Sequence, residues 1–383
     1  MGVNNMADYL HGVEQYFLEN MNRPIEVLAA SVIGLVATAD DADADEFPLN
    51  TPALVNSEKQ IAKAGTTGSL KHALEDIYRQ TGAIVVVVRV AEDADEGVEL
   101  ANVIGQLDND TNSYGGLKAL LFAESKLGTR PRLIIAPEYS HKLGVGAEME
   151  AVAKKLNAIP IIDGTENGYS DVVNEVKNFD QAFFVNGGIK LIDEAGKEIT
   201  RKASATVAGH IVRVDNEEGY WHSPSSRKIY GIVGTSEPID HAIGSLTSKA
   251  NLYNSNNVAV IVNQQGGWFL YGNRLANGTM LPHQRIRYIV GDSILYAHQE
   301  MVDRNVTKSY VDGVKGRVNS LLRRLKSREV ISGGECWLDK ELNIAAIGTA
   351  QVYWDYDLGF YDVAERLTFR QHVTDRYNEA IFS

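Results

Sequence analysis

The sequence predicts an α/β fold built on a largely parallel β-sheet with helices on both faces, followed by an α+β C-terminal part. Apolar runs such as residues 83–90 (AIVVVVRV) lack polar alternation, which is typical of strands covered on both faces. Segments with helical spacing, such as residues 147–156, lie between successive runs. Alternation of strands with amphipathic helices is typical of parallel sheets, and we expect right-handed crossovers.

The elements follow one another along most of the chain. We expect strands at residues 25–37, 83–90, 132–136, 158–162 and 182–185, a hairpin within 187–199, and further strands at 228–233, 258–262 and 268–271. We expect helices at residues 70–77, 116–126, 147–156, 172–176 and 203–214, and two more within 283–328.

Both ends of the chain have apolar residues without an evident partner. Residues 352–357 and 367–372 alternate with period two, which predicts half-buried strands. Such strands can pair inside their own fold or on a sheet edge of another chain. Residues 1–22 are polar and predict an arm whose apolar side chains need a surface from elsewhere. The apolar side chains singled out at the two ends are Tyr9, Val13, Tyr16, Phe17, Leu367, Phe369 and Val373.

Composition excludes several classes of function. Hydrophobic residues make up 44% of the 383 and charged residues 23%, as in globular proteins. The net charge of −13 argues against a nucleic-acid-binding protein. Cys336 is the only cysteine, so a disulfide within the chain and a Cys-based zinc site are both excluded, and synthesis in a reducing cytoplasm fits. We expect no membrane insertion, no signal peptide and no cofactor.

One segment reverses the sign of the charge. Between residues 315 and 328 the chain has six cations and no acid. They are Lys315, Arg317, Arg323, Arg324, Lys326 and Arg328. Two interpretations stay open, namely a contact surface for an acidic partner and a solvated helix face.

The strongest enzyme hypothesis is a serine hydrolase. Asp163, His210 and Ser236 occur in the chain order that subtilisins use, but Ser236 follows His210 by only 26 positions. That spacing argues against a triad. Residues 65–71 (GTTGSLK) lack the spacing of a phosphate-binding loop and instead indicate a capped helix start. An α/β hydrolase using Ser236 is kept as the alternative, and an adhesin or capsid-associated module as a third possibility.

A set of short runs occurs along the chain in a fixed order. The runs include residues 11–13 (HGV), 23–25 (RPI), 32–39 (VIGLVATA), 47–50 (FPLN), 102–105 (NVIG), 131–137 (PRLIIAP), 223–226 (SPSS), 229–232 (IYGI), 272–274 (GNR), 333–334 (GG) with Trp337, and 356–369. Taken together in this order, they resemble the contractile tail sheath proteins of myovirus-type phages and R-type pyocin-like particles. The resemblance covers nearly the whole chain. Tyr271 stands where the family often has Trp, and Tyr361 with Asp362 replaces a Pro pair.

The resemblance implies a subtilisin-like α/β domain without proteolytic activity. It implies three parts, which are an N-terminal linking arm (1–24), the α/β sheath domain (25–275) and a tube-facing C-terminal domain with terminal linking strands (276–383). It further implies stacked six-subunit rings that contract around a tail tube. We therefore hypothesise that the basic segment faces the tube and that the segment after Tyr361 reaches a neighbouring subunit.

The implied partners follow from the same resemblance. They are other copies of the chain, a tail tube protein, and baseplate and tail terminator proteins. The protein would belong to the tail of a virion or similar particle, made and assembled in the cytoplasm of a bacterial host. The implied activity is mechanical and not enzymatic.

Overall fold

The computed structural model describes residues 24–108, 113–165, 168–193 and 195–381. These residues form two compact units. The first, which we call the sheet unit, contains residues 29–289 and 361–381. The second, which we call the helical unit, contains residues 24–28 and Val290–Phe360. Predicted arm residues Tyr9, Val13, Tyr16 and Phe17 lie outside the described residues.

The strands follow most of the apolar runs. They are β1 (Val32–Thr38), β2 (Pro52–Val55), β3 (Ile84–Val90), β4 (Leu107–Asp108), β5 (Ser113–Tyr114), β6 (Leu133–Ile135), β7 (Ile159–Asp163), β8 (Phe183–Asn186), β9 (Ile189–Ile192), β10 (Glu198–Arg201), β11 (Lys228–Ile229), β12 (Gly234–Thr235), β13 (Val258–Gln264), β14 (Gly267–Tyr271), β15 (Cys336–Leu338) and β16 (Trp354–Tyr356).

The helices occupy the amphipathic segments between them. They are α1 (Glu58–Ile61), α2 (Leu70–Tyr78), α3 (Glu96–Ile104), α4 (Gly116–Ala119), α5 (Ala123–Leu127), α6 (Leu143–Leu156), α7 (Tyr169–Val176), α8 (Ser204–Glu217), α9 (Lys249–Asn254), α10 (Leu281–His298), α11 (Lys308–Ser327) and α12 (Lys340–Ala345). Short 3-10 helices lie at Leu120–Phe122, Gln299–Met301 and Asn378–Ile381.

A nine-stranded sheet forms the centre of the sheet unit. Its order is β11-β14-β13-β8-β7-β6-β1-β3-β2. The six strands from β13 to β3 run parallel, and antiparallel strands flank them on both sides. The prediction of a large, mostly parallel sheet is therefore confirmed. Three smaller sheets accompany it in the described residues, with orders β10-β9-β12, β15-β16 and β4-β5.

Alternation along the interior strand β1 divides the core into two layers. Ile33 and Leu35 pack in the layer that contains α2 and α8. Val32 and Val36 pack in the layer that contains α4 and α6. Because successive side chains of a strand point to opposite faces, one buried strand supplies both cores. All seven residues of β1 are buried, which explains why the run has no polar alternation.

Close helix packing on one face depends on a glycine. A Cβ at Gly209 of α8 would lie 2.6 Å from the carbonyl oxygen of Ile77 in α2. Leu70, Leu74 and Ile77 are fully buried on the inward face of α2, as the spacing predicts.

The start of α2 is predicted to be capped, but the Ser69 side chain makes no capping bond to the helix. Its Oγ instead accepts from the amide of Thr38 (3.2 Å).

The predicted strand at residues 25–37 is too long. Only Val32–Thr38 is a strand. The backbone groups before it bond to side chains of helices: Ser293 Oγ accepts from the amide of Leu28 (3.3 Å), and Arg285 donates to the carbonyl of Ala30 (3.0 Å). These backbone groups are therefore satisfied by helix side chains without a ladder.

Two other predicted strands are shorter or absent. Of residues 228–233 only Lys228–Ile229 pairs in the sheet. Of the terminal run only Trp354–Tyr356 is a strand, and residues 363–375 have no assigned secondary structure. Among the described residues, no helix is long and apolar enough to cross a membrane.

A buried ion pair joins three segments of the sheet unit. Arg285 Nη1 on α10 lies 2.6 Å from Asp215 Oδ1 on α8, and the two side chains are only 4% and 3% exposed. Ser31 Oγ also donates to Asp215 (2.7 Å). A buried charge that loses its partner is far more costly than the pair is stabilising.

We expect Arg285→Met to lower the free energy of unfolding by about 3–5 kcal/mol, since Asp215 would stay buried without its partner. Urea denaturation followed by circular dichroism measures this. Arg287→Met, on the exposed side of the same helix, is the matched control and should change stability by less than about 0.5 kcal/mol. The double variant Arg285→Met with Asp215→Leu should recover most of the loss. Equal effects of the Arg285 and Arg287 variants would contradict the assignment.

Candidate functional site

The Asp163 carboxylate lies at the end of β7 and is a structural acceptor. It accepts from Ser140 Oγ (2.9 Å), Ser204 Oγ (2.6 Å) and the Ser204 amide (2.8 Å). The side chain is buried, and burial raises its pKa. These bonds join the start of α8 to the strand end, so the carboxylate organises the fold and does not orient a histidine.

His210 is fully buried in the middle of α8. Its Nε2 lies 2.9 Å from the carbonyl oxygen of Pro224 and therefore donates to it. Its Nδ1 accepts from Arg213 Nη2 at 3.1 Å. Burial lowers the pKa of His210 to about 4, and the neighbouring guanidinium acts in the same direction. Both ring nitrogens are occupied, so His210 has none left to act as a base.

Ser236 follows the short strand β12, where its Oγ accepts from the amide of Gly188 (2.7 Å). Its own amide donates to the Gly188 carbonyl (2.8 Å). Asp163, His210 and Ser236 therefore bind three different sets of partners. A nucleophile must be within reach of a base that a third group orients, and this arrangement does not provide that.

The glycine-flanked turn at residues 65–68 already holds an anion from its own chain. The carboxylate of Asp41 accepts from the amides of Thr66 (2.8 Å) and Thr67 (3.0 Å) and from both hydroxyls (2.7 Å each). These bonds hold the pKa of Asp41 well below its usual range. The turn thus uses the donor geometry of an anion site to close its own loop.

The predicted basic segment lies on α11, whose apolar stripe faces the core of the helical unit. Thr307 caps the helix by accepting from the Tyr310 amide at 3.2 Å. The buried stripe consists of Val314, Val318, Leu321, Leu322 and Leu325. Its spacing of three and four residues leaves the opposite helix face to polar side chains.

The structure divides the six predicted cations into two groups. Arg323, Lys326 and Arg328 are exposed, and Lys315 is half-buried. Arg317 differs from these four, because it is buried and donates to Glu300 Oε1 at 3.2 Å. It lies one turn before Leu321 and so falls on the inward face.

Arg324 is also committed within its own chain. The residue is half-buried, and its Nη2 donates to the carbonyl of Ile25. The charge reversal in the sequence identified the segment, but charge alone could not say which cations face inward.

The C-terminal apolar residues have no core to enter. Leu367, Phe369 and Val373 are 72%, 92% and 95% exposed. Every residue from 366 to 378 is exposed. Period-two alternation predicted a half-buried strand here, but no ladder forms among the described residues, and a partner for these side chains stays a prediction.

A two-stranded sheet in the helical unit offers an edge for such a partner. In this sheet β15 pairs antiparallel with β16, and Cys336 lies opposite Tyr356. The amide of Asp357 donates to the Glu335 carbonyl (3.0 Å), so the next pair, Cys336–Tyr356, is of the non-hydrogen-bonded type.

The outer side of β15 is closed by a side chain. Asn319 Nδ2 donates to the carbonyl of Cys336 (2.9 Å), and Asn319 Oδ1 accepts from its amide (2.8 Å). This carboxamide occupies the positions that a neighbouring strand would use. One side of this two-stranded sheet is therefore closed within the chain. Nothing in the sequence pattern pointed to Asn319.

Three protein-family models match the chain. "Phage tail sheath protein central domain" matches residues 112–274, and "Phage tail sheath C-terminal domain" matches residues 284–374. "Tail sheath protein Gp18 domain III N-terminal region" matches residues 31–90. The matches follow one another and together cover most of the described chain.

Curated proteins and solved structures give the same result. The chain is 35% identical to a putative prophage major tail sheath protein of Pseudomonas aeruginosa, over 96% of this chain and 97% of that protein. It is 31% identical to the tail sheath protein of Escherichia phage P2, over 97% of each. Its fold is similar to that of the anti-feeding prophage helical sheath in the contracted state, with a TM-score of 0.73, 15% identity, and coverage of 95% and 99%.

The buried histidine predicts a pH dependence of stability. The pKa of His210 is lowered in the folded state, so the unfolded chain binds more protons between pH 4 and 6.5. Stability therefore falls as the pH drops through that window, by up to roughly 3 kcal/mol at 1.36 kcal/mol per pKa unit. His210→Gln should remove this part of the acid sensitivity.

Urea midpoints measured from pH 7.5 to 4 test the expectation. His222→Gln, which replaces an exposed imidazole, is the control and should retain the wild-type profile. Parallel profiles for the wild type and the His210 variant would show that the imidazole is not held neutral.

Proposed function

The chain belongs to the family of contractile phage tail sheath proteins, and we propose that it polymerises as stacked six-subunit rings that contract around a tail tube. Members of this family are structural proteins of the tail and not enzymes, and the separate bonding of Asp163, His210 and Ser236 fits that role. The alternative of a hydrolase using Ser236 is set aside on this ground.

One observation carries the proposal. The C-terminal segment projects Leu367, Phe369 and Val373 into solvent without a ladder partner among the residues that the structure describes. Exposed apolar residues at alternate positions are costly in a monomer but suit strand addition to another copy. We infer that this segment and the N-terminal arm, through Tyr9, Val13, Tyr16 and Phe17, are the links between subunits.

The acceptor is the two-stranded sheet of the helical unit in a neighbouring subunit. Asn319 blocks the outer side of β15, which favours addition at the outer side of β16. Main-chain hydrogen bonds hold such a link whatever the side chains, and alternate side chains set its register. A contact between different surfaces of two copies propagates as a helix and does not close as a dimer.

Contraction requires two arrangements of the same bodies while the links persist. The extended arrangement would be kinetically trapped until a baseplate releases it. In this scheme residues 1–24 are the N-terminal linking arm, 25–275 the sheath domain and 276–383 the tube-facing domain with its terminal strands. The proposed partners are further copies, a tail tube protein, and baseplate and terminator proteins, with assembly in the cytoplasm of a bacterial host.

The sheath domain is proposed to be subtilisin-like without protease activity. Six parallel strands with helical layers on both faces support this, as does the position of Asp163 at a strand end. The buried, bonded state of His210 accounts for the lack of chemistry.

The exposed cations of α11 are proposed to face the tube. Arg323, Lys326 and Arg328 are the exposed members, with Lys315 beside them. Each screened pair with an acidic tube would contribute little, about 0.2–1 kcal/mol, but many copies sum along a lattice and can be broken in sequence. A net charge of −13 makes a local basic face stand out against the rest of the surface.

Reversing charge at Arg323→Glu with Lys326→Glu should weaken assembly on tubes roughly ten-fold while tube-free sheath polymers still form. Co-sedimentation with purified tubes and negative-stain microscopy measure both. Lys126→Glu with Lys155→Glu changes the net charge equally on exposed residues of the sheet unit and is the control. Normal tube-bound assembly of the Arg323 and Lys326 variant would refute tube contact through α11.

Removal of residues 1–22 should leave a folded chain that does not polymerise. The reason is that each subunit would lose one of its two proposed links. Circular dichroism and thermal denaturation check folding, and negative-stain microscopy checks for tubular polymers. Tubes formed by the truncated chain at the wild-type concentration would rule out the N-terminal link.

A further inference from the structure

Two short segments far apart in the sequence meet in a bidentate ion pair. Arg274 Nε lies 3.1 Å from Glu365 Oε1, and Arg274 Nη2 lies 2.7 Å from Glu365 Oε2. The two residues are 91 positions apart and belong to the same unit. The planar fork of a guanidinium matches both carboxylate oxygens, which fixes direction as well as distance.

The Arg274 guanidinium is also positioned by contacts other than the one with Glu365. Its Nη1 donates to the carbonyl of Gly278 at 2.8 Å. The turn is closed by a bond from the Leu275 amide to the Thr279 carbonyl (2.9 Å) and by a β-bridge between Arg274 and Met280. Because the turn orients the side chain, little rotamer entropy is lost when the carboxylate binds.

The ion pair lies where the C-terminal segment leaves the surface of the sheet unit. Just before it, His283 Nε2 lies 2.9 Å from the carbonyl oxygen of Tyr361. Just after it, residues 366–378 are all exposed. Hydrogen bonds within that exposed stretch are local. For example, the amide of Arg376 donates to Thr374 Oγ1 (3.3 Å). Glu365 is thus the last side chain of the segment seen to bond to a distant part of the unit.

We propose that the Arg274–Glu365 pair is the anchor of the C-terminal linking segment and sets the origin and direction of its reach toward another copy of this chain. The inference rests on the proposed linking function. With the anchor in place, residues 366–373 can extend at most about 26 Å. If the chain is instead held only at Tyr361, twelve residues can extend about 40 Å.

A longer tether lowers the local concentration of the linking residues at their acceptor. The effective concentration falls roughly as the −3/2 power of tether length, which gives about a two-fold loss for this change. Without the ion pair the segment also loses its fixed direction, which weakens linking further. Loss of an exposed ion pair changes an equilibrium constant by up to about five-fold. The critical concentration for polymerisation should therefore rise between about two-fold and ten-fold without the anchor.

A matched control exists in the same unit. Arg227 and Glu218 form a pair of the same fork geometry, with Nε to Oε1 at 2.6 Å and Nη2 to Oε2 at 2.7 Å. The exposure of both side chains is similar to that in the anchor. Arg227→Gln therefore removes an equivalent pair away from the C-terminal segment.

The first experiment uses the monomer and trypsin. Arg274→Gln leaves the sequence around Arg366 intact, so any change in cleavage there reports on the segment and not on the protease. We expect cleavage after Arg366 to become several-fold faster in this variant, with cleavage after Arg376 unchanged. Wild-type and Arg227→Gln chains should be cut at equal rates. An unchanged rate at Arg366 in Arg274→Gln would overturn the anchor.

The second experiment measures the critical concentration of polymerisation by sedimentation. Arg274→Gln, Glu365→Gln and Arg274→Lys should each raise it, since lysine keeps the charge but not the fork. The swapped pair Arg274→Glu with Glu365→Arg should restore it at least in part, while all variants keep the wild-type melting temperature. If the wild type forms no tubular polymer, the proposed function fails, whereas the trypsin result still tests the anchor. Equal critical concentrations for wild type and Arg274→Gln would overturn the inference alone.

Discussion

The pairing of β1 with two parallel neighbours is the constraint on which the rest of the sheet unit depends. β1 pairs with β3 over seven residues and with β6 over three, and all of its side chains are buried. A shift of one residue would exchange the two faces and drive both helical layers out of register. The layer over one face is closely packed, since a Cβ at Gly209 of α8 would lie 2.6 Å from the carbonyl oxygen of Ile77 in α2.

The polar residues near the strand ends illustrate how an α/β fold can be used without catalysis. The Asp163 carboxylate accepts hydrogen bonds from two serine hydroxyls. The His210 ring is hydrogen-bonded to a carbonyl and to a guanidinium. In the turn at residues 65–68 an internal carboxylate takes the place of a ligand. Buried polar groups that are satisfied internally stabilise the fold and make it rigid.

In the proposed function, assembly depends on apolar side chains and a strand edge that have no partner within the subunit. The segment after Glu365 has alternate apolar side chains in solvent, and the sheet of β15 and β16 has one side closed by Asn319. A link made by a tethered strand tolerates rotation of the bodies, because the tether absorbs the change while the ladder stays paired. A fixed anchor at Arg274 would make that tether short enough to act on a particular neighbour.

The sequence by itself determined the class of fold, most of the core strands and helices of the sheet unit, and the location of the basic segment. Periodicity carries this information, because burial on one or two faces leaves a regular mark on apolar residues. It could not show that Arg317 and Arg324 turn inward, that residues 25–31 bond to helices, or that Asn319 closes a strand. Nor could it join Arg274 to Glu365. Those facts depend on which side chains the fold brings together across long separations, and only the tertiary structure decides them.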